Sequence, residues 1–260
     1  MASQTLWDTK FDAQAITKLS KQFSGEEAWL SITTAAESFW DVARNNLSPH
    51  DPEVMRAWHL LVFSVGNFKR QTPITLPRLR HPGSWEAKRG RRPRLITVPL
   101  MDGESTKVDV ADRETWEALE KSVKGIGVPT TTTLLSALWP SRHIIIDVRD
   151  LTAAIGLDFE AASKEELLKE SGRKGAFVSW NAYDWLRPRV LDKAKKTGRN
   201  PIEIERALYI LDARAGAAQK KAWEDKPAAS REKDKKTLPW TKTAKDEGYV
   251  HYLAQVIDNL

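Results

Sequence analysis

The amino-acid sequence predicts an all-α protein. Through most of the 260 residues, apolar side chains recur at every third or fourth position, which is the spacing of one helix face. Helix-start signals, such as Asn or Asp before proline and Ser three residues before glutamate, divide the chain into segments of helical length. Only residues 95–100 and 107–110, separated by a short turn-forming segment, favour a small β-hairpin insertion.

The bulk composition limits the class of protein. A chain of this length forms one large domain or two small ones, and a hydrophobic content of 41% is ordinary for a globular protein. The absence of cysteine excludes disulfides, a thiolate nucleophile and a cysteine-ligated iron–sulfur cluster. No signal peptide is visible, and no apolar run approaches the roughly 20 residues that cross a bilayer. We therefore expect a cytoplasmic protein that uses no membrane.

The first half of the chain favours long helices. Residues 10–46 carry apolar side chains at helical spacing on both sides of Gly25. Pro52 follows a capping aspartate, and the next helix is apolar on nearly every side, as in the middle of a bundle. We expect that helix to end at Gly66-Asn67.

Residues 69–94 form a basic segment. Nine basic side chains stand against the single acid Glu86, and the resulting net charge of +8 exceeds the +6 of the whole chain. Four prolines and two glycines favour an irregular loop. The segment is either a solvated, partly disordered insertion or a nucleic-acid arm whose cations neutralise phosphates, with Trp85 available for stacking. We favour the nucleic-acid arm.

The second half of the chain favours several capped helices. Asp150 is expected to cap a short helix that ends at Gly156. Ser179 is expected to cap a longer helix, which Pro188 should end or kink. Asn200 stands before a proline and three residues before a glutamate, so another helix is expected to begin there.

The most informative stretch runs from residue 123 to 149. Gly125 and Gly127 enclose one apolar residue between two helical patterns, so the backbone is expected to turn tightly and expose its N–H groups. Pro129 suits the first turn of the second helix, whose positive end favours a phosphate. Three isoleucines then lead to one carboxylate, Asp147. From its position alone, Asp147 is either a helix cap or a catalytic group.

The segment Lys124-Gly125-Ile126-Gly127, followed by Asp147, resembles the helix-hairpin-helix DNA glycosylase superfamily. Members carry a Pro-Gly-Val-Gly-like hairpin between two helices and then an essential aspartate after a short apolar run. Asp147 stands 18 residues after Pro129, within the family's usual separation. In the tripeptide that this aspartate begins, Arg149 replaces the family's histidine. The likeness covers roughly residues 112–156.

The resemblance implies a DNA N-glycosylase of the monofunctional type. Pro129 occupies the position where bifunctional members carry the lysine that attacks the sugar, so no lysine-dependent lyase activity is expected and an abasic site would remain. Asp147 would be the catalytic residue, stabilising the cation that develops on the sugar and orienting or deprotonating water. The target base would first flip into a pocket with apolar or aromatic walls. Neither a metal nor a cofactor is implied.

The resemblance also implies two helical lobes. Residues 52–142 would form a helical barrel that carries the basic segment and ends in the hairpin. Residues 1–51 together with 143–215 would form the second lobe, and the active site would lie in the cleft between the two. Independently of the resemblance, residues 219–236 are charged and poor in large apolar side chains, which predicts a linker or a frayed helix. Residues 216–260 as a whole are expected to form a charged linker and a short C-terminal helix.

The expected partner is double-stranded DNA that contains a modified base, bound by a monomer. The residues expected to contact this DNA are Lys124, Gly125, Ile126, Gly127, Thr130, Arg149, Asn67, Arg70, Arg89, Arg91, Arg92 and Arg94. Asn67 and Arg70 match the family's base-replacing residue only by position, and the chemistry of a helix end explains them equally well. Thr132 and Thr133 fit a mixed helix face better than a phosphate site.

The biological role is expected to concern modified bases, either in DNA repair or in anti-phage defence. Some members of the superfamily remove hypermodified cytosines from viral DNA. The alternative is a catalytically inactive helix-hairpin-helix protein that binds DNA and uses Asp147 only as a cap. Most of the 11 tryptophans are expected to fill the core, and a minority to line a pocket.

Overall fold

A computed structural model describes residues 5–45, 52–70, 127–158, 178–227 and 247–260. Every regular element in these ranges is a helix, with no strand among them, which confirms the all-α class for this part of the chain. None of these helices is long and apolar enough to cross a bilayer. The predicted hairpin within residues 95–110 and the basic segment beyond Arg70 lie outside the described residues.

The helices of the described ranges are numbered in chain order. They are α1 (Leu6–Thr9), α2 (Ala13–Ser20), α3 (Glu26–Asn45), α4 (Pro52–Arg70), α5 (Val128–Leu138), α6 (Val148–Leu157), α7 (Trp180–Thr197), α8 (Pro201–Glu224) and α9 (Glu247–Asp258). The sequence predicts helix over residues 10–46. In the structure this stretch is interrupted between Ser20, where α2 ends, and Glu26, where α3 begins, and Gly25 is the last residue of the interruption.

The chain divides into two compact units. The terminal unit consists of Met1–Ser24 and Ile144–Leu260, and the middle unit consists of Gly25–His143. The sequence predicts the first boundary between the two lobes after residue 51, whereas the first boundary between the two units follows Ser24. The observed boundary lies earlier because α3 packs against α4 and α5. The assignment of glycosylase lobes remains a prediction.

The central helix of the terminal unit is α8. It packs against α2, α6, α7 and α9. Its fully buried side chains include Ile204, Leu208, Leu211 and Ala215, which recur at helical spacing. Because four helices surround α8, its different faces meet residues that are distant in sequence.

Polar contacts tie the first helices of the terminal unit to other elements. Lys10 Nζ forms a 2.7 Å ion pair with Asp258 at the end of α9, and Lys18 Nζ donates a 3.0 Å hydrogen bond to the Leu260 carbonyl. Lys193 is buried, donates to the backbone carbonyl of Trp7, and has a pKa lowered by that burial. Exposed ion pairs contribute little stability, so the docking of α9 depends chiefly on its apolar face.

Aromatic side chains connect α3, α4 and α5, the described helices of the middle unit. Phe39 of α3 and Trp58 of α4 are buried, with ring centroids 5.6 Å apart. Trp40 Nε1 donates a 3.3 Å hydrogen bond to the Leu138 carbonyl at the end of α5. The Trp40 ring also meets Trp139 edge to face at 5.7 Å. Trp58 is buried, whereas Trp40 and Trp139 are half-buried, so the expectation that most tryptophans fill the core remains a prediction.

Three helix boundaries differ from the sequence expectation. α4 continues to Arg70 and does not end at Gly66-Asn67. α7 continues through Pro188, so of the two expected outcomes, an end or a kink, the helix does not end there. α8 extends to Glu224, and the first part of the expected linker is therefore helical. Local propensity is a weak signal that packing readily overrides.

The burial of α4 is less complete than its composition predicts. Val54, Leu61 and Val65 are fully buried, as expected for a bundle helix. Leu60, on the same helix, is 52% exposed. The expectation that neighbours enclose this helix on nearly every side is therefore wrong at Leu60.

Two predicted helix starts are confirmed. At the start of α7, Ser179 Oγ accepts a 3.2 Å hydrogen bond from the Ala182 N–H. At the start of α8, Asn200 and Glu203 form a reciprocal capping box, in which Glu203 Oε2 accepts a 2.9 Å bond from the Asn200 N–H. Both of these caps depend on residues within three positions of the helix start, which the sequence shows directly.

Candidate functional site

The segment that leads to Asp147 is buried. Ile144 and Ile146 are fully buried, and Ile145 is 6% exposed. The Ile145 N–H donates a 2.8 Å hydrogen bond to Oε1 of Glu205, which is buried on α8. The chain is therefore anchored just before Asp147, whose side chain is half-buried.

Asp147 is the N-cap of α6. Its Oδ1 accepts hydrogen bonds from the backbone N–H groups of Arg149, at 2.7 Å, and Asp150, at 3.3 Å. Asp150 Oδ2 accepts a 3.1 Å bond from the Asp147 N–H in return, which completes a capping box. The prediction that Asp150 caps this helix is wrong, because α6 begins at Val148 and Asp150 is its third residue.

The cap contacts restrain the Asp147 carboxylate. Both backbone donors lie on Oδ1, so the orientation of the carboxylate is tied to the first turn of α6. A carboxylate held in one orientation can act on a neighbouring cation without first losing rotamer freedom. Asp147 therefore serves as a helix cap. This structural role is compatible with the catalytic role, which remains a prediction.

Arg149 lies at one end of a row of stacked side chains. Its guanidinium carbon is 4.7 Å from the centroid of the Tyr209 ring on α8. Tyr209 meets Phe23 edge to face at 5.8 Å, and the guanidinium of Arg206 lies 5.1 Å from the Phe23 centroid. Arginine over an aromatic face is a stabilising contact. Arg149 is exposed, so the stacking positions a cation at the surface beside Asp147.

A second carboxyl group, Asp212 on α8, lies near Asp147 and Arg149. The Tyr249 hydroxyl of α9 donates a 2.6 Å hydrogen bond to Asp212 Oδ1. Burial raises the pKa of Asp212 to about 6, and the charge of Asp147 also raises it. The Tyr249 hydrogen bond and the charge of Arg149 act in the opposite direction. Burial also raises the pKa of Tyr249, which keeps its proton.

The close packing of α9 against α6 positions Tyr249. A Cβ atom added at Gly156 of α6 would lie 2.5 Å from Leu253 Cδ1 and 3.1 Å from Tyr249 Cε1. Real Cβ atoms do not tolerate the shorter distance, so a side chain at Gly156 would require the buried Leu253 side chain or α9 itself to shift. Glycine at this position therefore permits the helix contact that brings the Tyr249 hydroxyl to Asp212.

Sequence reasoning missed Asp212, Tyr209 and Tyr249. Asp212 stands 65 residues after Asp147, and no motif connects the two. The one available signal was a carboxylate immediately beside the apolar stripe of α8, next to Leu211. A charged residue at the edge of a buried stripe is usually solvated, so this signal does not distinguish Asp212 from a surface aspartate.

The described part of the predicted hairpin begins at Gly127. This residue is the N-cap of α5, and Pro129 lies in the first turn, as expected. The backbone of Gly127 is extended, with φ −132°, and a Cβ atom there would lie 3.9 Å from Pro129 Cδ. Neither backbone angle nor space therefore requires glycine at this position. Lys124, Gly125 and Ile126 lie outside the described residues.

The threonines of α5 differ in exposure. Thr130 is half-buried, whereas Thr131, Thr132 and Thr133 are fully buried. The hydroxyls of Thr132 and Thr133 donate to the Pro129 carbonyl at 3.2 and 2.7 Å. Such contacts fit the structural interpretation of these two residues better than phosphate binding.

The remaining predicted DNA contacts are not brought to Asp147 by any described contact. Asn67 and Arg70 lie in the last turns of α4, of which the structure describes only the helical backbone. Arg89, Arg91, Arg92 and Arg94 lie outside the described residues. Their roles remain predictions. Comparison of the chain with protein-family models, with curated proteins and with solved structures gives no match.

Proposed function

We propose that this protein is a monofunctional DNA glycosylase of the helix-hairpin-helix type. One observation carries the proposal: the carboxylate of Asp147 is oriented at the start of α6, directly after a buried apolar segment. It stands 18 residues beyond Pro129, which lies at the start of α5. This order of helix, apolar segment and aspartate is the order that the resemblance implies.

The proposed reaction hydrolyses the N-glycosidic bond of a flipped base. The bond breaks with its electron pair on the base, positive charge develops on the sugar, and the hydroxyl of a water molecule adds to the sugar carbon. The proton of that water passes to the leaving base, directly or through Asp147. A fixed carboxylate stabilises the cation by charge and can orient the water.

The side chain of Pro129 has no amine that could attack the sugar. The proposed enzyme therefore forms no covalent intermediate at this position and leaves an abasic site with an intact strand. Trapping with borohydride, which reduces an imine between a lysine and the sugar, is expected to yield no protein–DNA adduct. A strong adduct band would contradict the monofunctional mechanism and indicate that another lysine acts as nucleophile.

The proposed substrate is double-stranded DNA that contains a modified base. The excess of positive charge in residues 69–94 supports a polyanionic partner, because nine cations are concentrated within 26 residues. A specialist for modified bases, in repair or in phage defence, is the role we favour. The test substrates are therefore DNAs with defined modified bases and phage genomes with modified cytosines.

The substitution Asp147→Asn tests the proposal. Asparagine is as good an N-cap as aspartate, so α6 should remain intact while the negative charge is lost. We expect base release to be abolished and DNA binding to persist. Abasic sites are scored by strand breakage in alkali, and binding by fluorescence anisotropy. Asp192→Asn is the matched control, because it removes a carboxylate that is 55% exposed and paired with Lys196.

The second candidate function is a catalytically inactive DNA-binding protein. The capping box at Asp147 favours it, since capping alone explains an aspartate at this position. The two candidates predict different results across the substrate panel. If the wild-type protein binds DNA but creates no abasic site in any tested substrate, the binding protein is the correct interpretation.

A further inference from the structure

The Asp212–Tyr249 pair connects α9 to the neighbourhood of Asp147. The pair is joined by a 2.6 Å hydrogen bond, and α9 packs against both α8 and α6. Asp212 follows Tyr209 by three residues on α8, so the two side chains lie on the same face of that helix. Tyr209 in turn holds the guanidinium of Arg149 at 4.7 Å. One face of α8 therefore brings Asp212 to the start of α6.

The charged groups that act on Asp212 come from two of the four helices packed against α8. Tyr249 belongs to α9, and Asp147 and Arg149 lie at the start of α6. Among the described residues, neither α2 nor α7 adds a titratable group to this set. Arg149 and Asp147 thus act on Asp212 with opposite sign, and the protonation of Asp212 changes the charge that surrounds Asp147.

We propose that Asp212 is a positioning residue of the Asp147 site, whose charge state controls the electrostatic field at Asp147, and that Tyr249 stabilises its charged form. This inference rests on the proposed glycosylase function. Asp212 does not touch the substrate in this scheme. It acts through Asp147 and Arg149, and the hydrogen bond from α9 makes the C-terminal helix part of the site.

The direction of the effect follows from the charges. When Asp212 is ionised, two carboxylates and one guanidinium leave a net negative charge, which stabilises a developing sugar cation. When Asp212 is protonated, Asp147 and Arg149 neutralise each other and the field is weaker. Base release is therefore expected to become faster as the pH rises through the pKa of Asp212, about 6.

The first test compares single-turnover base release by the wild type and by Asp212→Asn. Asparagine keeps an acceptor for Tyr249 but cannot ionise. We expect equal rates at about pH 5 and a wild-type advantage of about tenfold at about pH 8. A rate ratio that does not change with pH would overturn the proposal, because a purely structural role lowers the rate at every pH.

A second variant tests the role of the tyrosine. Tyr249→Phe removes the hydrogen bond that favours the ionised Asp212 carboxylate, so the pKa of Asp212 should rise. The pH at which the ratio of the base-release rates with Asp212 and with Asp212→Asn lies halfway between its low-pH and high-pH values should therefore be higher when both rates are measured with Phe in place of Tyr249. Tyr252→Phe is the matched control on the same helix, and its midpoint should equal that of the wild type. A midpoint that stays unchanged in Tyr249→Phe would overturn the role assigned to Tyr249.

A measurement without substrate separates this inference from the proposed function. The carboxyl carbon of Asp212 in ¹³C-labelled protein reports its titration by NMR, and Asp212→Asn identifies the signal. The proposal predicts a lower midpoint in Asp147→Asn than in the wild type, because a neighbouring negative charge is removed. Equal midpoints would overturn it. If no DNA loses a base, the glycosylase function fails, and this titration decides whether the two carboxyl groups form one site.

Discussion

The carboxylate of Glu205 accepts a 2.8 Å hydrogen bond from the backbone N–H of Ile145, 60 residues earlier in the chain. Both residues are buried. The contact joins the central helix α8 to the segment that ends at Asp147, and no sequence motif predicts it. The hydrogen bond gives the buried Ile145 N–H an acceptor. Without an acceptor, this N–H would lower the free energy of unfolding by more than the hydrogen bond itself contributes.

The first prediction concerns this contact. Glu205→Ala should lower the free energy of unfolding by about 1 to 3 kcal/mol, because the Ile145 N–H loses its buried acceptor. Glu205→Gln should lower it less, since the amide oxygen can still accept the bond. Urea denaturation measures both. Glu224→Ala, at the exposed end of the same helix, is the control and should change stability by less than about 0.5 kcal/mol. Equal losses in Glu205→Gln and Glu205→Ala would show that this hydrogen bond is not what stabilises the segment.

The second prediction concerns the close contact of α6 and α9. Gly156→Ala should destabilise the protein by about 1 to 3 kcal/mol, because the added Cβ atom would overlap Leu253 and crowd the Tyr249 ring. Gly216→Ala is the matched control. Its Cβ atom would meet nothing within 4 Å, and alanine in a helix interior should stabilise by about 0.5 to 1 kcal/mol. The same sign of change in both variants, measured by urea denaturation, would contradict the packing that we describe.

The third prediction concerns the pH dependence of stability. The pKa of Asp212 is raised from its ordinary value of 3.8 to about 6 in the folded protein, chiefly by burial. Between these values the folded state binds a proton that the unfolded state has released. The stability contributed by this group is therefore fully present below about pH 4 and is lost as the pH rises through about 6, with a total of about 2 to 3 kcal/mol.

The variant Asp212→Asn removes this titration. Its free energy of unfolding, relative to the wild type, should increase between about pH 4 and about pH 7 and then remain constant. Denaturant titrations at a series of pH values measure the difference. Asp192→Asn, which removes an exposed carboxylate, is the control. A relative stability of Asp212→Asn that falls over this window would mean that Asp212 is stabilised, and not penalised, in its charged form.

The fourth prediction concerns the basic segment. Replacing Arg89, Arg91, Arg92 and Arg94 by alanine should reduce the dependence of DNA affinity on salt, with the log–log slope falling by about 0.9 for each lost phosphate contact. A control with the same change in net charge replaces Lys195, Lys196, Lys220 and Lys221, which are exposed on α7 and α8. Anisotropy titrations over a range of salt concentrations give the slopes. If the two variants have the same slope, the four arginines contribute no more to DNA binding than the four control lysines do.

Helix positions were predictable where the decisive contacts are local. Ser179 and Asn200 cap helices through hydrogen bonds to residues within three positions, and both starts were recognised in the sequence. The same reasoning failed at Gly66-Asn67, where a helix end was expected and α4 continues to Arg70. It also misplaced the cap of α6, because Asp147 and Asp150 are both good caps and the capping box uses them together.

The sequence by itself determined the helical class of the described residues, the caps of α7 and α8 and the position of Asp147 after three buried isoleucines. These features depend on periodicity and on hydrogen bonds between near neighbours, which the order of residues specifies directly. Only the tertiary structure decided that Tyr249 donates a hydrogen bond to Asp212 and that Asp147 acts electrostatically on the same carboxyl group. Their proximity arises because α9 packs closely on α6 at Gly156 and both helices pack on α8. Such contacts depend on the combined fit of several helix faces, and no single segment of the chain carries that information.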